Sequence, residues 1–285
     1  MTAVTGDRPR CVEFYAGVLG LTALPSVPDP AHPDRCQLRF GDTAGTPGSV
    51  IGFLLIPGIH AGRAGAGTIH RVAWRVADVD ALGFWFERLS HAGVEVEPVD
   101  ATGVGAALRF RDPEGLGHEL VPDVSGDEPL EARSAAVPAS RALRGLDGVR
   151  AYSRASGPSA DLLAGRLGFT ALGGDAYRVE GLARRAEYRH EEPPPKRALP
   201  GAGTFHHVAW TCEPAEQPAW RQRVIGLGAR VTRILDRDSA RSFYFREPAG
   251  VLFEVATREP VAGTGPPSAD RHAPPTTEIP IPAAA

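Results

Sequence analysis

His206 and His207 stand side by side in the run Gly203-Thr204-Phe205-His206-His207-Val208-Ala209-Trp210, and Glu254 follows in Val251-Leu252-Phe253-Glu254-Val255-Ala256. Imidazole and carboxylate are donor types that divalent first-row metals bind together. Both runs read as strands, where successive side chains point to opposite faces, so one of His206 and His207 faces the interior of its sheet. Glu254 has large apolar neighbours on both sides, and a carboxylate there is costly to bury unless it is paired or bound to a metal. The separation, 254 − 207 = 47 residues, is enough to bring both groups onto neighbouring strands of one small sheet. Two plainer readings stand beside this one: a strand His satisfied in the core or at an edge, and a Glu paired with Arg237 or Arg246.

The elements that would position these groups are repeated. Gly67-Thr68-Ile69-His70-Arg71-Val72-Ala73-Trp74 matches the His207 run at six of eight positions, and Phe110-Arg111-Asp112-Pro113-Glu114-Gly115 matches Phe245-Arg246-Glu247-Pro248-Ala249-Gly250. The offsets are 203 − 67 = 136 and 245 − 110 = 135, so a single-residue indel separates two copies of one unit, with Glu119 opposite Glu254. Each copy reads as strand, helix and further strands. In the earlier copy Asp78 is a candidate N-cap for a helix to about Leu89, with Leu82, Trp85, Phe86 and Leu89 on one stripe. In the later copy the strand Thr204–Thr211 leads to a helix over about Ala215–Ile225, then strands at Ala229–Arg237, Ser242–Arg246 and Val251–Thr257. Two weaker units begin with helices at Asp7-Arg8-Pro9 and at Pro158, each ending in Leu-Gly before an apolar residue, the pattern of a helix C-terminus feeding a strand.

The expected fold is therefore α+β, with four tandem βαβββ units. Two units per domain give one domain over 1–124 and another over 143–260, with a Ser/Ala/Glu/Pro-rich linker at 125–142 and a Pro/Gly/Thr/Ala tail at 261–285 expected to be disordered. Hydrophobic residues at 42% and charged residues at 23% fit a globular protein. A net charge of −3 without basic clusters argues against nucleic acid, and no apolar run reaches the roughly 20 residues that span a bilayer. Three cysteines without a CxxC pair fit a reducing compartment, and the first residues do not read as a signal peptide, so a cytoplasmic location is expected. A homo-oligomer is left open.

Taken together, the His207 run, Asp236-Arg237, and Arg241-Ser242-Phe243-Tyr244-Phe245-Arg246 through Glu254 resemble bacterial ring-cleaving dioxygenases of the hydroquinone type. These belong to the vicinal oxygen chelate superfamily, whose domains pair βαβββ modules. The resemblance runs from Thr2 to about Pro260, with Arg8–Leu21 a second good match. It implies an iron(II), or a manganese(II), held by two His and one Glu, with open positions for a small aromatic substrate and O2. His207 and Glu254 match two ligands. Arg237 and Tyr244 match positions that line the substrate, anchoring an anionic ring oxygen and shuttling a proton. Thr2 matches a Thr that follows the remaining ligand, and His206 matches a His behind the ligand sphere, although strict alternation puts it on the face opposite His207 unless the strand is bulged.

The remaining ligand, the second His of a His-His-(Val/Ile)-Thr run in the family, would lie immediately upstream of Met1. Either the chain starts late and the natural protein is active, or the His is lost and the protein is an inactive or weakly metal-binding relative that holds small molecules. A glyoxalase-like lyase is the third reading. The other units do not restore the set: Arg71 takes the place of His207 in the second, and Gly148 takes the ligand position in the third.

Overall fold

A computed structural model describes residues 1–257, except 29–31, 33, 102–104, 156, 182–183 and 238–239. The tail expected at 261–285 lies outside the described residues. Four units follow one another. The first holds β1 (Thr2–Thr5), α1 (Arg8–Val12) running into a π-helical turn over Glu13–Val18, β2 (Thr22–Pro28), β3 (Cys36–Gly41) and β4 (Ile51–Leu55). The second holds β5 (Ile69–Val76), α2 (Val79–His91), β6 (Val96–Ala101), β7 (Gly105–Arg111) and β8 (Gly117–Pro122). In the third are β9 (Leu146–Tyr152), α3 (Gly157–Leu163), β10 (Thr170–Gly173), β11 (Ala176–Glu180) and β12 (Arg185–Glu191). The fourth contains β13 (Thr204–Cys212), α4 (Gln217–Ile225), β14 (Leu235–Arg237), β15 (Ala240–Arg246) and β16 (Leu252–Thr257).

The α+β class and the four tandem units are as expected, but the pairing of units is not the one the linear order suggests. One eight-stranded sheet runs β14-β15-β16-β13-β1-β4-β3-β2 and joins the fourth unit to the first. The other runs β10-β11-β12-β9-β5-β8-β7-β6 and joins the third to the second. In each, two units meet through antiparallel pairing of their opening strands, β1 with β13 and β5 with β9.

A buried staple crosses the second pairing. Arg75 on β5 reaches Asp147 at the start of β9 at 3.2 Å, and the 125–142 segment through Asp127 at 2.6 Å and the Ser125 hydroxyl at 2.8 Å. A guanidinium held this way fixes several chain segments at once. With the second and third units pinned together, the first and fourth are left to close the other sheet. The connecting segment is packed rather than loose: Ala132 and Val137 are buried, and the Trp85 indole donates to the Arg141 carbonyl at 3.0 Å.

Local expectations fare well where the periodicity is strong. Asp78 caps α2 through its side chain, which accepts from the Ala81 amide at 2.8 Å, a bond worth about 1 kcal/mol to such a helix. Leu82, Trp85 and Leu89 of α2 are buried. Phe86 is 40% exposed: at about 100° per residue it lies one step around the helix from Trp85 and misses the sheet. The strand expected over Ala229–Arg237 shrinks to β14 and an isolated bridge at Val231. Between them, the Thr232 hydroxyl takes the Tyr244 amide proton at 2.9 Å, a side-chain bond in place of a regular ladder.

Candidate active site

The first sheet brings the singled-out residues together. On β13 and β16, parallel neighbours, Ala209 pairs with Glu254, and His207 lies two residues before Ala209 on the same face. On β15, Tyr244 pairs directly with Glu254. His207 Nε2 is 2.9 Å from Glu254 Oε2, and the Tyr244 hydroxyl donates to Glu254 Oε1 at 2.6 Å. Both carboxylate oxygens are thus engaged by groups of the same cluster. Burial pushes the Glu254 carboxyl up, but the hydrogen bond and charge of His207 and the hydroxyls of Ser242 and Tyr244 outweigh it and leave the group at about 2. Glu254 is ionised at neutral pH.

His206 sits where the strand departs from alternation. Thr2 pairs with His207 and Ala3 with Phe205, so His206 is the extra residue of a β-bulge. The bulge brings its ring round to its neighbour: His206 Nδ1 lies 2.8 Å from His207 Nδ1, with the ring planes at 80°. One of those two nitrogens carries the proton. A His207 that gives up its Nε2 lone pair keeps its proton on Nδ1, and His206 is then the acceptor that fixes the ring.

Thr2, buried, faces His207 across β1 and β13. Arg237 closes β14, its backbone paired with Ala240, and its side chain lies outside the described residues. The start of β1 adjoins the cluster: the Met1 amino group is held down to about 6, chiefly by burial, with Glu254 pulling the other way. Sequence reasoning missed Ser242, two residues before Tyr244 and so on the same face, and Gln37, whose amide donates to the Thr2 hydroxyl at 3.4 Å. The alternation of β15 was a sufficient signal for Ser242. Nothing local marks Gln37.

His207 and Glu254 are a donor set that a divalent metal accepts, with Nε2 and a carboxylate oxygen facing each other. Among the described residues no group of three or more His, Cys, Asp or Glu is placed to hold an ion. No helix among them is long and apolar enough to cross a membrane.

Residues 1–120 match the Glyoxalase/Bleomycin resistance protein/Dioxygenase superfamily. The chain is 31% identical over 264 residues to a Bacillus subtilis protein named "Putative ring-cleaving dioxygenase MhqO", spanning 91% of this chain and 84% of the relative, and 31% identical over 267 residues to its counterpart MhqE. A crystal structure of a dioxygenase candidate from the same organism superposes with a TM-score of 0.82 at 31% identity, covering 91% of this chain and 84% of the other. Glyoxalase I from Zea mays superposes with a TM-score of 0.62 at 15% identity, over 90% of each chain, a likeness of fold alone. The chain belongs to the glyoxalase/bleomycin resistance protein/dioxygenase superfamily, and within it to the family of these Bacillus relatives.

Proposed function

We propose that the protein opens a hydroquinone- or catechol-like aromatic ring with O2, using iron(II) held by His207 and Glu254, with manganese(II) as the alternative metal. The observation that carries this reading is the buried His207–Glu254 pair at 2.9 Å with Tyr244 on the second carboxylate oxygen, in a chain whose relatives bear the ring-cleaving name. The bound metal would supply what a singlet ring and dioxygen lack, a centre that holds both and passes electrons between them. Both oxygen atoms of O2 end in the ring-opened acid, so no external reductant enters the balance.

The chain's own residues have separate tasks. His206 orients His207 through Nδ1. Tyr244 Oη, 2.6 Å from Glu254, is the group positioned to hold a substrate proton. Arg237 is assigned to the anionic ring oxygen on the resemblance, and Thr2 to the ring beside His207. The third ligand position is the one preceding Met1.

The test measures iron content and oxygen uptake with hydroquinone for this chain and for one bearing His-His and an apolar residue in place of Met1. The extended chain is expected to bind iron more tightly and turn over faster. Equal activity in both, or a His207→Ala protein that keeps its iron, would overturn the ligand assignment. A second reading is a small-molecule binder without turnover, favoured by the direct His207–Glu254 contact at 2.9 Å, which satisfies both side chains without a metal. Binding of hydroquinone without oxygen uptake in either chain would establish it.

A further inference from the structure

Across the first sheet, Leu24, Arg39, Gly52, Thr2 and His207 are successive register partners on β2, β3, β4, β1 and β13. Directly paired residues share a face, so Arg39 and Thr2 lie on the face of His207, and Gln37, two residues before Arg39, lies there as well. Gly52 is the gap in this row. Its φ is not in the left-handed region, so the backbone does not call for glycine; what the glycine supplies is room. A Cβ there would stand 2.8 Å from Gln37 Nε2 and 3.4 Å from its Cδ. The Gln37 amide therefore lies across Gly52, and from there it donates to Thr2 Oγ1 at 3.4 Å.

A hydroxyl that accepts from an amide keeps its own proton to give elsewhere. We propose that Gln37 is a positioning residue: lying over Gly52, it turns the Thr2 hydroxyl into a donor beside His207, where it meets the oxygen of an aromatic substrate and sets the affinity for it. This rests on the function proposed above. It assigns a role to two positions, Gln37 and Gly52, that carry no chemistry of their own in the ligand set. It also explains why a strand between two ordinary strands has a glycine at the one rung that faces Thr2.

The experiment is steady-state oxygen uptake with hydroquinone on iron-loaded protein, comparing the parent with Gln37→Glu, Gln37→Leu and Gly52→Ala. Gln37→Glu keeps the side chain's length but can only accept, so it captures the Thr2 proton instead of releasing it. Gly52→Ala displaces the amide without touching it chemically. Each change is expected to raise KM about tenfold, the loss of one hydrogen bond, with kcat little altered and with iron content and melting temperature unchanged. An active parent with an unchanged KM in Gln37→Glu overturns the inference alone. A parent that neither consumes oxygen nor binds hydroquinone overturns the functional reading, and this inference with it. Should Gly52→Ala fold poorly, the Gln37→Glu comparison decides.

Discussion

The two sheets are built on one plan and hold the same carboxylate in opposite ways. Glu119 on β8 takes the place of Glu254 on β16, and each lies beside an alanine of the parallel neighbour strand, Ala73 and Ala209. The bulge recurs too: Ile69 pairs with Ala151 and Arg71 with Arg150, leaving His70 as the extra residue just as His206 is. What differs is the company. Arg71 stands for His207, Arg109 for Tyr244 and Arg150 for Thr2. Glu119 is 1% exposed and receives Arg71 at 3.0 Å, Arg109 at 2.9 Å and Arg150 at 3.0 Å. Burial alone would raise its carboxyl, and the three guanidiniums hold it below the usual range. Gly148, at the ligand position, leaves no space: a Cβ there would meet the Glu187 carbonyl oxygen at 2.0 Å. A shared fold supplies the position of a carboxylate, and its partners decide whether it is available. The partners of Glu254, His207 and the hydroxyls of Tyr244 and Ser242, carry no permanent charge, and one can give way to a metal. Glu119 is saturated by charges that cannot be removed.

The sharpest way to break this contrast is Glu119→Gln. It takes the shared carboxylate from the buried Arg150 and the half-buried Arg71 and Arg109 and is expected to cost about 3–5 kcal/mol in denaturant unfolding, while any folded fraction keeps the parent's iron affinity. The matching change, Glu254→Gln, should cost less stability, because an amide can still hydrogen-bond Tyr244 and His207, and should lower ring cleavage by about a hundredfold or more, read as oxygen uptake. If both variants lost stability alike, the division of labour between the sheets would be wrong.

Acid should tell on both sheets, since each holds a depressed carboxyl, Glu254 in one and Glu191 in the other. Burial pushes Glu191 up, but His70 Nε2 at 3.2 Å and the charge of Arg71 outweigh it, and the group sits at about 2 against 4.5 when free. A depressed carboxyl contributes stability that is fully present above its unfolded value and is lost as pH falls through the folded one. Unfolding free energy is therefore expected to fall from about pH 4.5 toward pH 2, and Arg71→Met should flatten that slope. The smallest expected effect is the most discriminating. Arg71→His restores a His–Glu pair to the second sheet, yet Arg109 and Arg150 still claim Glu119, so metal stoichiometry should not rise.

Much of this was legible in the sequence, for reasons that can be named. The units were visible because the two runs of strand and turn repeat at nearly one offset. The pairing of Tyr244 with Glu254 was within reach of the sequence, because a short turn between two antiparallel strands leaves little freedom of register. The orientation of His206 was not legible, since a bulge is a property of register with a partner strand about 200 residues away. Nor could linear order reveal which units share a sheet, because four similar units offer several closures, and the Arg75 contacts that bridge the second and third units come from residues far apart in sequence. Arg109 and Arg150 escaped notice as guards of Glu119 because they reach it from different strands and different units.

The closure of the first sheet has a consequence in time. Thr2 meets His207 across 207 − 2 = 205 residues, and Glu254 lies further along still. During synthesis, the second and third units can pair while the ribosome is still making the fourth. The opening strand has no partner on its β13 side until then. Contacts this distant in sequence form late and slowly. A chain released early would therefore carry its arginine-locked sheet assembled and the sheet of His207 and Glu254 unclosed, so the two side chains meet only in molecules that have been completed.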